Sequence, residues 1–250
     1  MNNKAFVLKT LLLIIAVGIV ISSYNITSIL MDYKESSAVY DEIASFAVEE
    51  DGEEKGDTKP GKTTPDLKID FASLNKLNSD VKGWLYSENL GINYPVLQGE
   101  DNNQYLRHLP NGEESSGGTL FIDYRNKEND KHILIYGHNM KDGSMFGKLS
   151  RYADQEYYEQ HPELYFYTEE GEYRLKIFSA YYTNDNDFTY SVSEQSDANE
   201  YSYYAGRKSC IDTDTEYQEG DCIITLSTCA YLRGHNRFVV QCIPYKVETK

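Results

Sequence analysis

The sequence predicts a mainly β fold, and two observations support this prediction. Tyrosine is unusually frequent, with 23 residues against nine phenylalanines and one tryptophan, and such side chains suit the half-buried, pleated surface of a sheet. Short runs rich in β-branched and aromatic residues are also separated by turn-forming residues. Many short strands with few helices indicate a barrel or a sandwich rather than a doubly wound parallel sheet.

Length, charge and cysteine content exclude several classes of protein. The 250 residues suffice for one domain with appendages. The net charge of −16 argues against a nucleic-acid-binding protein, because contact with phosphates needs a clustered basic surface. A hydrophobic share of 40% is too high for a disordered chain, and four cysteines are too few for a disulfide scaffold. What remains is one acidic, β-rich domain with an attached segment.

The attached segment lies at the N-terminus. Residues 10–31 are 22 consecutive uncharged residues, and a membrane-spanning helix needs about 20. A cleaved signal peptide is the alternative, since residues 11–21 match the length of its apolar core, but no clear small-x-small cleavage site follows. We therefore expect residues 1–31 to be a cytoplasmic stub and a transmembrane signal-anchor. Lys4 and Lys9 precede the apolar run, which predicts that the N-terminus is cytoplasmic and the remaining chain extracellular.

Residues 32–65 are expected to form an extracellular spacer. Their first half has some helical periodicity, with four apolar residues spaced to share a face: Val39, Ile43, Phe46 and Ala47. Residues 49–65 are acidic and then rich in Gly, Thr and Pro, which is typical of a solvated linker. The folded domain is then predicted over residues 66–250.

Within the domain, apolar runs and their flanking turn residues predict the elements. Residues 71–77 are predicted to form a helix that leads into the first strand. The predicted strands are residues 81–85, 92–97, 119–123, 132–136, 164–168, 173–182, 222–227 and 238–243. Two more short helices are expected, one capped by Ser144 and carrying Met145, Phe146 and Leu149, and one at residues 197–206.

The last two strands allow a register to be worked out. If they form a hairpin centred near Arg233, the numbers of facing residues sum to 466. One face is then mostly apolar and carries Ile224, Leu226, Thr228, Phe238, Val240 and Cys242. The opposite face carries Thr225, Ser227, Cys229, Arg237, Val239 and Gln241. In this register Cys229 and Arg237 stand directly across from each other, with their Cβ atoms about 5 Å apart.

Cys229 is the predicted nucleophile among the four cysteines. Cys222 and Cys242 fall on the apolar face, where a small buried hydrophobic residue is expected, and Cys210 lies in a polar segment without an assigned role. Arg237 opposite Cys229 favours the thiolate and can donate hydrogen bonds to an oxyanion. No C-x-x-C or H-x-x-x-H spacing is present, so no metal site is predicted.

A thiol nucleophile generally needs a proton-transfer partner, which is most often a histidine. His138 is favoured because it follows the apolar strand at residues 132–136 and Gly137, and such an exit presents a side chain at the rim of a sheet. His235 is the alternative, since it is near Cys229 in the sequence, although it lies in a predicted loop.

These residues together resemble the sortase family, and class B in particular. The resemblance rests on TLSTC at 225–229, on YGHNMKDGSMFGKL at 136–149, on Arg237 eight residues after the cysteine, and on the chain order His, Cys, Arg. It extends over the whole domain, including PVLQGEDNNQYL at 95–106 and GTLFIDYRN at 118–126. One departure is Ala230, where some class B enzymes have an acidic residue.

The resemblance implies a closed, mostly antiparallel sortase-type β-barrel with peripheral helices, and a cysteine transpeptidase. Cys229 would attack the threonine carbonyl of a C-terminal sorting signal in a secreted protein. Arg237 would stabilise the oxyanion or position the signal, and His138 would protonate the leaving amine. An amine of a peptidoglycan precursor would then resolve the thioester. Ser227 and Thr228, beside the nucleophile, are expected to contact the signal.

The resemblance also implies partners and a location. No cofactor and no metal are expected for the chemistry, and no nucleic acid is expected as a partner. The enzyme would be held in a Gram-positive cell membrane by a single N-terminal helix, with its catalytic domain outside. The tyrosine-rich residues 187–220 are expected to contribute to the pocket that selects the signal.

Two other functions stay open from the residues alone. A hydrolytic thiol peptidase could use the same Cys229, His138 and Arg237, with water in place of the amine. A tethered binding module could instead keep Cys229 as a buried structural thiol.

Overall fold

The protein is described by a computed structural model that covers residues 3–49, 65, 67–127, 130–191, 198–232 and 234–247. Over these residues the α-helices are α1 (Asn3–Ala44), α2 (Phe71–Leu77), α3 (Gln155–Gln160) and α4 (Ala198–Lys208). The strands are β1 (Ala47–Glu49), β2 (Leu67–Ile69), β3 (Val81–Ser87), β4 (Ile92–Leu97), β5 (Leu120–Ile122), β6 (His132–Tyr136), β7 (Glu163–Thr168), β8 (Gly171–Thr183), β9 (Ile223–Leu232) and β10 (His235–Lys246). Short 3-10 helices lie at Gln104–Leu106, Leu149–Ala153 and Phe188–Tyr190.

Eight of the strands close into a barrel in the order β10-β8-β7-β3-β4-β5-β6-β9. Six neighbouring pairs are antiparallel, and two pairs, β4 with β5 and β6 with β9, are parallel, so the sheet is mixed. β1 and β2 form a separate antiparallel pair. The predicted closed barrel with peripheral helices is confirmed, and all eight predicted strands coincide with or overlap an observed one.

The register predicted for the last hairpin is also confirmed. β9 and β10 pair Cys229 with Arg237, Thr228 with Phe238 and Leu226 with Val240. The tip departs from this register, because the pairing shifts between His235 and Arg237, while Arg233 lies outside the described residues.

The two faces of this hairpin contribute to different layers of the core. The predicted apolar face lines the barrel interior, where Leu226, Phe238, Val240 and Cys242 are buried in the main core cluster. The opposite face carries mostly polar residues, and it is buried as well, because α4 and the 3-10 helix Phe188–Tyr190 pack over it. There the side-chain nitrogen of Gln241 donates to the hydroxyl groups of Tyr181 and Tyr201, which offsets part of the cost of burial, while its buried Oε1 has no hydrogen-bond partner among the described residues.

α1 extends well beyond its apolar part and packs on the barrel with its last turns. The Tyr40 hydroxyl donates to the carbonyl oxygen of Gly118 at 2.6 Å, and Ile43 is buried in a second apolar cluster with Trp84 and Leu74. These contacts involve the face that the helical periodicity indicated, within the stretch predicted to be a spacer. Contacts with the domain therefore run from Asp32 to Glu49, while the position at which the catalytic domain begins stays a prediction.

The N-terminal part of α1 is long and apolar enough to cross a membrane, by length and composition alone. Its large apolar side chains are exposed along residues 6–31. A signal sequence near an N-terminus meets the same criteria, so the uncleaved anchor stays a prediction.

The segment after β6 differs from its prediction. Ser144 does not cap a helix, because its backbone N–H and hydroxyl both donate to the Asp142 carboxylate and close a tight turn, and the next helical turn is the 3-10 helix that begins at Leu149. Met145 then adopts a left-handed conformation, with a φ of 51°, and pairs with Asn139 in an isolated antiparallel bridge. The result is a closed loop that returns beneath His138.

Candidate active site

The guanidinium of Arg237 lies directly beside the thiol of Cys229. The two residues face each other across β9 and β10, and Arg237 Nη1 is 3.3 Å from Cys229 Sγ. Cys229 is partly exposed at the point where β9 leaves the barrel. An arginine in this position can donate charge-assisted hydrogen bonds to a thiolate or to an oxyanion that forms on an adjacent carbonyl.

Arg237 makes two further contacts, one within β10 and one with the loop that follows β8. Arg237 Nη1 also donates to the backbone carbonyl of Asn236 at 3.1 Å, and Nη2 lies 3.9 Å from a carboxylate oxygen of Asp185. The Asp185 side chain is 58% exposed, so solvent screens this ion pair and its contribution is small. In addition, the Asn184 side chain accepts from the backbone N–H of Asn236, which ties the end of β8 to the hairpin.

The parallel pairing of β6 with β9 brings His138 to the same edge as Cys229. The pair runs in register from His132 opposite Ile223 to Tyr136 opposite Ser227. Because parallel strands leave a sheet at the same edge, the residues that follow Tyr136 lie beside the residues that follow Ser227. His138 lies two residues after Tyr136, and Cys229 lies two residues after Ser227, so both occupy the same position beyond the last pair of the ladder.

A backbone carbonyl holds the imidazole of His138. Its Nε2 is 2.7 Å from the carbonyl oxygen of Leu106, in the 3-10 helix Gln104–Leu106. A carbonyl oxygen can only accept, so Nε2 carries a proton in this contact and Nδ1 is left to exchange a proton with a reacting group. The sequence offers no signal for the role of Leu106, because the contact is made by its backbone.

His132 and the alternative candidate His235 lie elsewhere. His132 is partly buried at the far end of β6, where its Nε2 is 2.8 Å from the Thr225 hydroxyl, and desolvation of the ring lowers its pKa to about 4. His235 is exposed on the hairpin and stands across from Leu232, three residues beyond Cys229 along β9. Its ring lies near that of Tyr182, with centroids 6.4 Å apart. The backbone geometry therefore favours His138 over His235 as the partner of Cys229.

Ser227 and Thr228, the predicted signal contacts, are almost completely buried, at 1% and 3% exposure. The Ser227 hydroxyl is 2.8 Å from the hydroxyl of Tyr190, and the Thr228 hydroxyl donates to the carbonyl oxygen of Gly137 at 2.8 Å. Both side chains thus hold neighbouring segments of the site in place. Whether they also contact a signal stays a prediction.

The remaining cysteines occupy different surroundings. Cys242 is buried in the barrel core, and burial raises the pKa of its thiol. Cys222 is partly buried, and burial raises the pKa of its thiol to about 11, so both groups are neutral thiols at physiological pH. Cys210 is exposed in the loop after α4. The described residues contain no group of three or more His, Cys, Asp or Glu side chains arranged to hold a metal ion.

Tyr190 is a component of the site that the sequence indicated only as part of a tyrosine-rich segment. Its ring stacks on Tyr136, with centroids 6.3 Å apart and planes 7° from parallel, and burial raises its pKa to about 12. Its backbone carbonyl accepts from the guanidinium of Arg125, which forms a two-bond ion pair with the buried Asp123. Through the bond from Arg125, this ion pair helps to hold the 3-10 helix Phe188–Tyr190 beside Ser227 of β9.

Asn139 was quoted within the histidine motif but was not predicted to have a role. Its side-chain amide donates to the carbonyl oxygen of Cys229 at 2.7 Å. The residue after His138 therefore bonds directly to the backbone of the predicted nucleophile.

Comparison with known proteins agrees with the resemblance seen in the sequence. The sortase domain family matches residues 85–244. Sortase B of Listeria monocytogenes is 33% identical over 251 residues, which cover 96% of this chain and 98% of that protein. Sortase B of Staphylococcus aureus is 32% identical over 246 residues, which cover 96% of this chain and 97% of that protein.

Solved structures agree with these matches. The Staphylococcus aureus sortase B–substrate complex superimposes with a TM-score of 0.66 and 36% identity over 71% of this chain and 85% of that chain. Sortase B of Bacillus anthracis in complex with AAEK1 superimposes with a TM-score of 0.72 and 33% identity over 88% of this chain and 100% of that chain.

Proposed function

This chain belongs to the sortase family, and we propose that it performs the transpeptidation of that family with Cys229 as nucleophile, His138 as proton carrier and Arg237 as oxyanion donor. The chain is a cysteine transpeptidase of the sortase B type, whose function is to anchor surface proteins to the cell wall. The observation that carries the assignment of residues is the 3.3 Å contact between Arg237 Nη1 and Cys229 Sγ at the edge where β6 ends before His138.

The first half of the proposed reaction forms a thioester. The Cys229 thiol first gives its proton to Nδ1 of His138; the thiolate then attacks the carbonyl carbon of the threonine in the sorting signal, and the carbonyl oxygen becomes an oxyanion that accepts from Arg237. The carbon–nitrogen bond then breaks, and His138 donates the Nδ1 proton to the leaving amine. The Leu106 carbonyl keeps its bond to Nε2–H throughout, so the ring orientation is maintained while Nδ1 loses its proton.

The second half transfers the acyl group to an amine. A primary amine of a peptidoglycan precursor attacks the thioester carbon, and His138 accepts the proton that the amine loses. Collapse of the tetrahedral intermediate breaks the carbon–sulfur bond, forms the new amide and restores the Cys229 thiolate. A water molecule in place of the amine would give a hydrolysed product, and the ratio of ligated to hydrolysed product separates a transpeptidase from a peptidase.

The residue assignment is tested by covalent capture. The full chain, purified in detergent, is incubated with a peptide library in which threonine is kept at the cleavage position, and the protein mass is measured with and without hydroxylamine as acceptor amine. Cys229→Ala should abolish both the acyl adduct and cleavage. Cys210→Ala, which removes an exposed cysteine outside the site, is the matched control and should retain both. Cleavage by Cys229→Ala would refute the assignment of the nucleophile.

We further propose that α1 is an uncleaved signal-anchor with a cytoplasmic N-terminus and that residues 66–250 form the extracellular catalytic domain. Lys4 and Lys9 before the apolar stretch support this orientation. Treating intact cells with a membrane-impermeant maleimide tests it, because the exposed Cys210 should be labelled if the domain is outside. Labelling of Cys210 only after the membrane is opened would contradict the proposed orientation.

A further inference from the structure

We propose that Asn139 is a positioning residue for the transpeptidation reaction, because its side-chain amide fixes the backbone of Cys229 to the loop that carries His138. The proposal rests on the assignment of Cys229 and His138 made above. It concerns a residue that neither transfers protons nor attacks the substrate.

The geometry of the parallel ladder shows why a side chain is needed at this point. The last backbone bond between the two segments runs from the N–H of Gly137 to the carbonyl oxygen of Ser227, at 3.1 Å. Carbonyl groups two residues apart in a strand point to the same side, so the carbonyl of Cys229 also faces the β6 segment. In a continued ladder, the backbone N–H of Asn139 would donate to it.

The backbone of Asn139 has instead turned away from β9. It forms an isolated antiparallel bridge with Met145, within the loop that returns beneath His138. The side-chain amide of Asn139 takes the place of the missing backbone donor, with Nδ2 at 2.7 Å from the Cys229 oxygen. One side-chain bond therefore continues the connection between the two segments after their backbones diverge.

A second side-chain bond acts on the other side of His138. The Thr228 hydroxyl donates to the carbonyl oxygen of Gly137 at 2.8 Å. Gly137 and Asn139 flank His138 in the chain, while Thr228 and Cys229 are consecutive in β9. The position of the imidazole relative to the thiol thus depends on two hydrogen bonds, one donated from each segment.

The loop is closed tightly enough to transmit this constraint. The backbone N–H of Phe146 donates to the carbonyl oxygen of His138 at 2.9 Å, and Phe146 is completely buried. The bond from Asn139 therefore joins Cys229 to a segment that is itself packed against the barrel core. Loss of that bond should change the distance between the reacting groups more than it changes the affinity for a signal.

Variants at position 139 separate the hydrogen bond from the shape of the side chain. Asn139→Leu has a similar volume and no donor, and Asn139→Asp has the same shape with an acceptor that repels the Cys229 carbonyl. Asn139→Gln retains the amide. The full chain in detergent is assayed with the peptide that the library selects and with hydroxylamine, and kcat, KM and the rate of thioester formation in a single turnover are measured.

We expect Asn139→Leu and Asn139→Asp to lower kcat and the single-turnover rate about 10- to 100-fold, with KM changed less than about twofold, because misplacement of reacting groups by about 1 Å costs up to about 100-fold. Asn139→Gln should recover part of the loss. The matched control is Asn126→Ala, which removes an asparagine that bonds the backbone of the same strand at its far end, at His132 and Leu134. It should lower the thermal midpoint while kcat is retained.

Two outcomes would overturn the proposal. One is a kcat for Asn139→Leu within about twofold of the unmodified enzyme. The other is a loss of kcat that follows the thermal midpoint equally in the Asn139 and Asn126 variants, which indicates a purely structural role. If Cys229→Ala retains cleavage, the proposed function fails; if that variant is inactive and Asn139→Leu is fully active, only the positioning role fails.

Discussion

Replacing Gly137 with alanine should impair catalysis through the packing beneath His138. Gly137 lies between the end of β6 and His138, and a Cβ atom added there would meet Leu120 Cδ2 at 2.5 Å and Phe146 Cδ2 at 2.6 Å. Ordinary van der Waals contact begins near 3.4 Å, so the nearest atom would have to move by about 0.9 Å. Neither neighbour can move freely, because Leu120 and Phe146 are both completely buried.

Two quantities should change together in this variant. Overpacking in a dense core costs about 1–3 kcal/mol, so the free energy of unfolding in urea should fall by that amount. The displacement can also be relieved by moving the loop that carries His138, and a shift of about 1 Å in a reacting group can lower kcat by about 100-fold. Steady-state kinetics and urea unfolding of the full chain in detergent measure the two effects.

The matched control is Gly206→Ala in α4, where an added Cβ has no heavy atom within 4 Å. Its kcat should be unchanged, and its stability should be equal or higher by up to about 1 kcal/mol, because alanine favours a helix over glycine. If Gly137→Ala matches this control in both kcat and stability, the packing argument is wrong.

Three further predictions concern charge and protonation. Arg237→Lys should lower kcat about 100-fold, because lysine lacks the planar pair of donors of the guanidinium. Asp185→Asn should change kcat less than about threefold, because its ion pair with Arg237 is exposed. Equal losses of kcat in the two variants would contradict the role of Arg237. The rate of thioester formation should be bell-shaped in pH, since both Cys229 and His138 take part, and a flat profile from about pH 5 to 10 would argue against it. Burial lowers the pKa of His132 from 6.5 to about 4, so the unfolded chain binds a proton that the folded chain excludes. The free energy of unfolding should therefore fall by about 2 kcal/mol from pH 7 to pH 5, and that fall should be absent in His132→Gln.

On the polar face of the hairpin, the residue pattern predicts the direction of each side chain but not its burial. Alternation along β9 correctly predicted which side chains share a face, because neighbouring residues in a strand point to opposite sides of the sheet. It did not predict that Ser227 and Gln241 are buried, since Tyr190 and Tyr201 come from distant segments to cover them. The burial of a polar face depends on which segment packs over it.

The periodic apolar residues before residue 48 were correctly placed on one face, but what that face contacts was not predicted. Ile43 packs in a cluster that includes Trp84, some 40 positions further along the chain.

The apolar residues after Ser144 predicted a short helix, but the Ser144 N–H donates to the Asp142 carboxylate and closes a turn instead. A side chain that competes for a single backbone donor can outweigh helical propensity over a short segment.

The sequence by itself determined the pairing of Cys229 with Arg237, because the two strands are joined by a short turn and the two-residue period of a strand leaves few registers. Only the tertiary structure decided that His138 lies at the same edge, since this depends on the parallel pairing of β6 with β9 across 91 residues of chain. The hydrogen bonds from Asn139 to Cys229 and from His138 to Leu106 likewise depend on the tertiary structure. Pairings between distant segments are selected by closure of the whole barrel, and no local pattern in either segment specifies its partner.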